Sequence, residues 1–162
     1  PPDTVAGFND PRVNNNCTLE DNDNLIHEFA HCLWAFRNPE FKKSLLAVFD
    51  KNGRQFNYDL LNESQAAAIQ AWFYEQVRGK VKQGRWYDNQ YVDKYAKALL
   101  PVLRKYVNHG SASLTLSAED YAQEAMQAFD KTFPDWHDDP QIVLWRSQIV
   151  QSPASEENLA DS

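Results

Sequence analysis

The segment Leu25–Trp34 constrains this chain more than any other, because it places two histidines one helical turn apart. His27 and His31 are four residues apart, so on an α-helix their side chains lie on one face, with Cβ atoms about 5–6 Å apart. The preceding run of aspartate and asparagine, residues 21–24, supplies good N-cap residues. We therefore predict a helix over about 24–36, which its apolar flanks should bury on most sides.

Two imidazoles in this arrangement can share one zinc ion, with Zn–N distances of about 2.0–2.1 Å. Glu28 follows the first histidine and projects beside the metal, where it can take a proton from a zinc-bound water. His-Glu-x-x-His is the pattern of zinc peptidases. Buried histidines and a buried glutamate are costly unless they are paired or bind a metal. We therefore favour a zinc site at His27 and His31 over an amphipathic helix that carries these residues by chance.

Length and charge limit the classes of protein to which the chain can belong. Its 162 residues suffice for one domain with a good core, which we predict over 1–150, followed by a disordered acidic tail over 151–162. The net charge of −7 argues against nucleic acids and anionic membranes as partners. No apolar run approaches the length of a membrane span. With the motif, these properties predict a monomer that acts on peptide or protein substrates.

The two cysteines, Cys17 and Cys32, flank the first histidine of the motif. A disulfide between them would close a loop of about 15 residues and stabilise the fold by about 3 kcal/mol; two free buried thiols are the alternative. Cys32 lies about 100° round the helix from His31, so it should not reach the same metal. Asn16-Cys17-Thr18 is also a glycosylation sequon. Together these features favour a secreted, extracellular protein.

Helical periodicity dominates the rest of the chain, and no alternating pattern of a β-strand is convincing. After the motif helix we predict helices over about 39–50, 60–77, 90–107, 117–130 and 140–150, with a charged loop over about 78–90. The alanine run 66–68 would allow another helix to approach closely. The predicted fold class is mainly α, with few or no β-strands.

A catalytic zinc needs a third protein ligand and one open position for water. Glu63 lies at the start of an otherwise apolar predicted helix, and Glu119 and Asp120 lie at the start of another. In that second helix, Glu124 could accept a hydrogen bond from the free ring N–H of a zinc-bound histidine. In both helices the alternative interpretation is an acidic first turn that the helix macrodipole stabilises. The remaining downstream candidates, in predicted loops or on solvated helix faces, are Asp50, Glu75, His109 and His137.

The motif and the segments after it resemble the catalytic domain of anthrax lethal factor and its lethal-factor-like relatives, over roughly residues 17–107. Cys17 matches a cysteine shortly before their motif, and residues 41–50 look like their next helix. Residues 62–73 are similar to the segment that carries their third ligand, and residues 95–103 fit a following helix. The resemblance implies a compact zincin-like catalytic domain and a zinc-dependent endopeptidase.

The resemblance also implies that Glu63 is the third zinc ligand, with Glu119 as the runner-up because its segment resembles the ligand segment of some relatives. Relatives often carry a tyrosine seven residues before that glutamate, which is thought to steady the oxyanion; this position is Phe56, and the nearby Tyr58 is expected to substitute. Their second glutamate, four residues after the ligand, is Ala67 here. These departures motivate an alternative: a catalytically inactive zinc-binding or toxin-like interaction module on the same fold.

Overall fold

The computed structural model describes residues 19–35, 39–107 and 117–151, and within these ranges it contains six helices and no β-strand. The predicted mainly-α class is therefore confirmed. The helices are α1 (Leu19–Ala35), α2 (Pro39–Lys51), α3 (Gln55–Arg78), α4 (Gln90–Val107), α5 (Ala118–Thr132) and α6 (Pro140–Gln151). In the described part of the chain, no helix combines the length and apolar character that crossing a membrane would require.

The central helix of the fold is α3, against which each of the other five helices packs. The alanine run 66–68 lies at its middle, and each of these alanines is at most 1% exposed. Because α3 has neighbours around most of its circumference, some of its polar side chains are buried as well. One of them, Gln65, accepts a hydrogen bond from the Tyr121 hydroxyl at 2.8 Å. Central burial therefore explains why α3 lacks a simple apolar stripe.

The core lies between the buried face of α3 and helices α2, α4, α5 and α6. Burying a large apolar side chain there contributes roughly 1.5–3 kcal/mol. The Tyr95 hydroxyl donates to the backbone carbonyl of Ala125 at 2.9 Å, so its polar atom is satisfied inside the core. The largest fully buried apolar and aromatic side chains are Tyr95, Phe49, Phe129, Leu45, Leu61, Leu99 and Ile142.

Helix α3 begins at Gln55, several residues before the predicted start at about residue 60. No side chain caps this end of the helix, so the sequence carries no local signal for it. Contacts from elsewhere in the chain hold it instead. The Arg54 guanidinium lies 4.5 Å from the centre of the Trp136 ring and donates to the Asp130 carboxylate at 2.7 Å. The start of α3 therefore depends on tertiary packing.

Helix α1 is attached to the fold by one face. Among the described helices it packs against α3 alone. His27 and Ala30 are buried, whereas Leu25 and Phe29 are 68% and 53% exposed. The expectation that α1 is buried on most sides was therefore wrong, because its apolar residues are divided between the face on α3 and the face that points away from it.

Candidate metal centre

His27, His31 and Glu63 converge where α1 packs against α3. The two Nε2 atoms are 3.1 Å apart. His27 Nε2 is 3.4 Å from Oε2 of Glu63, and His31 Nε2 is 3.4 Å from Oε1. Three donor atoms at about 2.0–2.1 Å from a tetrahedral centre would be about 3.3–3.4 Å from one another. Each imidazole is nearest to a different oxygen of Glu63, and one donor atom from each of the three residues lies within 4.8 Å of the other two. Two imidazoles and a carboxylate in this arrangement fit the ligand set of a zinc ion.

The position of Glu63 within α3 separates the two interpretations of this residue. The helix begins at Gln55, so Glu63 lies more than two turns inside it. The effect of the macrodipole falls off within the first turn, so it does not account for a carboxylate here. Side-chain exposure rises from 11% for His27 through 23% for His31 to 40% for Glu63. The site is therefore closed on the side of His27 and open towards solvent at Glu63.

The three side chains line an open cleft of about 790 Å³ together with Glu28. Glu28 is exposed, so its carboxylate is accessible to molecules in the cleft. Among the described residues the group that could hold a metal has three members, and three protein ligands with an open position are typical of a catalytic zinc site. The other lining residues are Asn24, Gln70, Arg85, Trp86, Tyr87, Asp88 and Asn89.

Sequence reasoning missed Tyr87, which lies in the loop 79–89 between α3 and α4. Its hydroxyl donates to Glu63 Oε2 at 2.9 Å, and its ring centre is 5.6 Å from that of His27. Burial raises the pKa of Tyr87, and the hydrogen bond to Glu63 and the charges of nearby carboxylates raise it further. The hydroxyl therefore remains a donor at neutral pH. The available signal was the adjacent pair Trp86-Tyr87, two large aromatic residues within a polar loop.

The predicted oxyanion residue, Tyr58, and the alternative third ligands, Glu119 and Asp120, lie away from the cleft. Tyr58 packs against the hydrophobic core, with its ring centre 5.8 Å from that of Phe49, and it is not among the residues that line the cleft. Glu119 and Asp120 are exposed in the first turn of α5, which does not pack against α1 in the described structure. The structure therefore brings Glu63, and not the α5 carboxylates, to the histidines.

The remaining candidates from the sequence have other surroundings. Glu75 forms an ion pair with Arg104. Glu124 accepts a hydrogen bond from Lys105 at 3.0 Å, and the ring of His137 stacks on its neighbour Trp136. Asp50 and Cys32 are exposed, on α2 and α1 respectively. Outside the described residues lie His109, Cys17 with its predicted disulfide and sequon, and the predicted tail after residue 151.

Asp93 fixes the loop that carries Tyr87. Its carboxylate accepts from the backbone N–H of Trp86 at 2.6 Å and from Lys97 at 2.7 Å. Burial acts to raise the pKa of Asp93, but the bonds from Lys97 and from the backbone of Trp86 and Tyr87 outweigh it and hold the pKa below the ordinary 3.8. The ionised carboxylate therefore stabilises the fold and holds the loop against the start of α4.

We expect Asp93→Asn to lower the free energy of unfolding by about 1.5–3 kcal/mol near neutral pH, because hydrogen bonds to a charged group are lost. Since the folded-state pKa is lowered, the contribution of Asp93 is present above the unfolded pKa and is lost as pH falls through the folded pKa. The difference between wild type and variant should therefore shrink below the ordinary pKa of 3.8. Urea unfolding across pH measures this, with the exposed neighbour Asp88→Asn as control. An equal loss of stability in both variants would contradict the assignment.

Comparison of the chain with models of protein families, with curated proteins and with solved structures found no match. The resemblance to lethal-factor-like enzymes therefore remains a prediction from the sequence.

Proposed function

We propose that the chain is a zinc-dependent endopeptidase. The observation that carries this proposal is the convergence of His27, His31 and Glu63 from two helices in one open cleft that Glu28 also lines. The two Nε2 atoms are 3.1 Å apart and each is 3.4 Å from one oxygen of the Glu63 carboxylate, separations that suit a tetrahedral ion. An open cleft of about 790 Å³ leaves room for a peptide segment beside the three donors. Within this proposal the chain has the zincin-like arrangement that the motif predicts.

Each residue of the cleft then has a distinct role. His27, His31 and Glu63 would hold zinc, which supplies a Lewis acid and lowers the pKa of a bound water towards about 7. Glu28 accepts a proton from water as the scissile carbonyl is attacked, and it then delivers that proton to the leaving amine. Because Glu28 is exposed to the cleft, it can exchange the proton with both groups. Tyr87 orients Glu63 through its hydroxyl.

Tyr87→Phe should weaken zinc binding by about 10–100-fold, the usual effect of removing a group that orients a metal ligand. The phenol contributes a single hydrogen bond, to a carboxylate that is 40% exposed, so the stability of the metal-free protein should change little. Competition with a fluorescent zinc chelator measures the affinity. The matched control is Tyr58→Phe on α3, which should bind zinc as the wild type does. If Tyr58→Phe weakens zinc binding and Tyr87→Phe does not, the assignment is wrong.

Two measurements on purified protein test the proposal as a whole. Metal analysis should find one zinc ion per chain, and mass spectrometry of a diverse peptide library should find cleavage products that disappear when zinc is chelated and return when it is restored. Zinc-loaded protein that cleaves no peptide would overturn the proposed activity. That result would favour the alternative of a zinc-binding interaction module.

A further inference from the structure

The loop 79–89 that carries Tyr87 also presents a cation to the cleft. Arg85 lines the cleft and is exposed. Within the described residues, its guanidinium forms no hydrogen bond or ion pair. An arginine side chain offers five N–H donors in a planar fork whose geometry matches a carboxylate. This fork is therefore available to a ligand that enters the cleft.

The backbone at Arg85 is held in place by the two anchored residues that follow it. The next residue, Trp86, is buried, donates its backbone N–H to Asp93 at 2.6 Å and donates its indole N–H to the carbonyl of Lys82 at 3.0 Å. The hydroxyl of Tyr87 is bonded to the carboxylate of the metal centre. Consecutive Cα atoms are about 3.8 Å apart, so the Cα atoms of Arg85 and Tyr87 are separated by at most about 7.6 Å. The backbone of Arg85 is therefore anchored beside Tyr87, and its side chain lines the same cleft as the metal centre.

The charges around the cleft single out Arg85. It is the only lysine or arginine among the described lining residues, which also include the carboxylates Glu28, Glu63 and Asp88. Two of these carboxylates have roles in the proposed reaction, since Glu63 holds the metal and Glu28 transfers the proton. Among the charged lining residues, Arg85 and Asp88 therefore remain available to contact the rest of a substrate. Of the two, arginine makes the more directional contact, through paired charge-assisted hydrogen bonds.

We infer that Arg85 binds a carboxylate of a substrate that lies in the cleft, an inference that rests on the proposed function. The carboxylate belongs either to an acidic side chain or to the free C-terminus of the peptide. The net charge of −7 opposes long-range attraction of acidic peptides, so this selection acts through direct contact. Measurements at physiological ionic strength, where the Debye length is about 8 Å, suppress the long-range repulsion.

The test uses peptides of one length that differ at a single position, with Glu, Gln or Lys placed in turn at every position and with amidated C-termini. A second set lacks acidic side chains and carries either a free or an amidated C-terminus. For each peptide we would measure kcat/KM with zinc-loaded wild type and affinity for the Glu28→Gln variant. We expect a Glu peptide to be preferred about tenfold over the matching Gln peptide, or a free C-terminus about tenfold over an amidated one. This factor is the lower end of the range for a charge-assisted hydrogen bond. The set in which the preference occurs identifies the source of the carboxylate.

Arg85→Gln should abolish this preference, and Arg85→Glu should shift it towards Lys peptides. Lys80→Gln is the matched control, since it removes a positive charge from the same loop but not from the cleft lining. Equal cleavage and equal binding of Glu and Gln peptides, with no preference for a free C-terminus, would overturn the inference, as would a preference that survives in Arg85→Gln. If zinc-loaded wild type cleaves nothing, the proposed activity fails, while the binding measurements still decide the role of Arg85.

Discussion

Glu28→Gln should reduce peptide cleavage by about 10²–10⁴-fold, the usual contribution of a general acid–base group, while zinc content and folding remain as in the wild type. The amide is almost isosteric with the carboxylate, but it cannot accept the proton that water must lose. Glu28 is exposed in the cleft and does not belong to the group of three metal-binding side chains. The substitution therefore removes proton transfer and leaves the ligands in place.

The measurement is kcat/KM on a peptide found in the library, together with the zinc content of the same preparation. The matched control is Glu119→Gln, an equally conservative change at an exposed glutamate of α5, which should retain full activity. Undiminished cleavage by zinc-loaded Glu28→Gln would show that another group transfers the proton. A loss of zinc would instead place Glu28 among the ligands.

Glu63→Ala should weaken zinc binding by more than about 100-fold, because removing even an outer partner of a ligand costs about 10–100-fold. The metal-free fold should tolerate the change, since the Glu63 side chain is 40% exposed and alanine is a good helix former. Zinc at a concentration of about 100 times Kd stabilises a protein that binds it only when folded by about 2.7 kcal/mol. The wild type should gain this stability on adding zinc, and Glu63→Ala should gain almost none.

Thermal unfolding with and without zinc, combined with a direct titration, measures both effects. Glu119→Ala provides the comparison, because Glu119 was the alternative candidate for the third ligand. If Glu63→Ala binds zinc as tightly as the wild type, the assignment of Glu63 as the third ligand is wrong. If Glu119→Ala also loses zinc, α5 must approach α1, a contact that the described structure does not contain.

The helix boundaries show which parts of the fold the sequence could predict. Helices α2 and α6 begin at Pro39 and Pro140, and α5 follows the Ser117 cap, so a local signal marks each start. The start of α3 has no such signal, because it depends on the stacking of Arg54 on Trp136, far along the chain. The buried and exposed faces of α1 were equally unpredictable, since apolar residues occur on both.

In the candidate site, too, the sequence predicts what depends on local helix geometry and does not predict what depends on tertiary structure. The placement of His27 beside His31 follows from helical geometry alone, and their Nε2 atoms are 3.1 Å apart. The apolar context of Glu63 made it a candidate, and the resemblance favoured it over the α5 carboxylates. The residues alone left both open, since the sequence does not determine which face of α3 meets α1. Tyr87 was missed because its contact with Glu63 depends on the path of a loop. Tyr58, which was expected to replace the oxyanion tyrosine that the resemblance implied, packs against Phe49 beside the core.

The attachment of α1 by a single face has a consequence for the folding of the protein. Among the described helices α1 contacts α3 alone, and the three metal-binding side chains are divided between these two helices. A metal ion bound by all three would cross-link α1 to the rest of the fold and would bind only when α1 is docked. By linkage, free zinc would then raise the free energy of the local opening of α1 and that of global unfolding by the same amount. Amide hydrogen exchange would consequently slow by the same factor in α1, where it occurs through local opening, and in the core of α3 and α4, where it occurs through global unfolding.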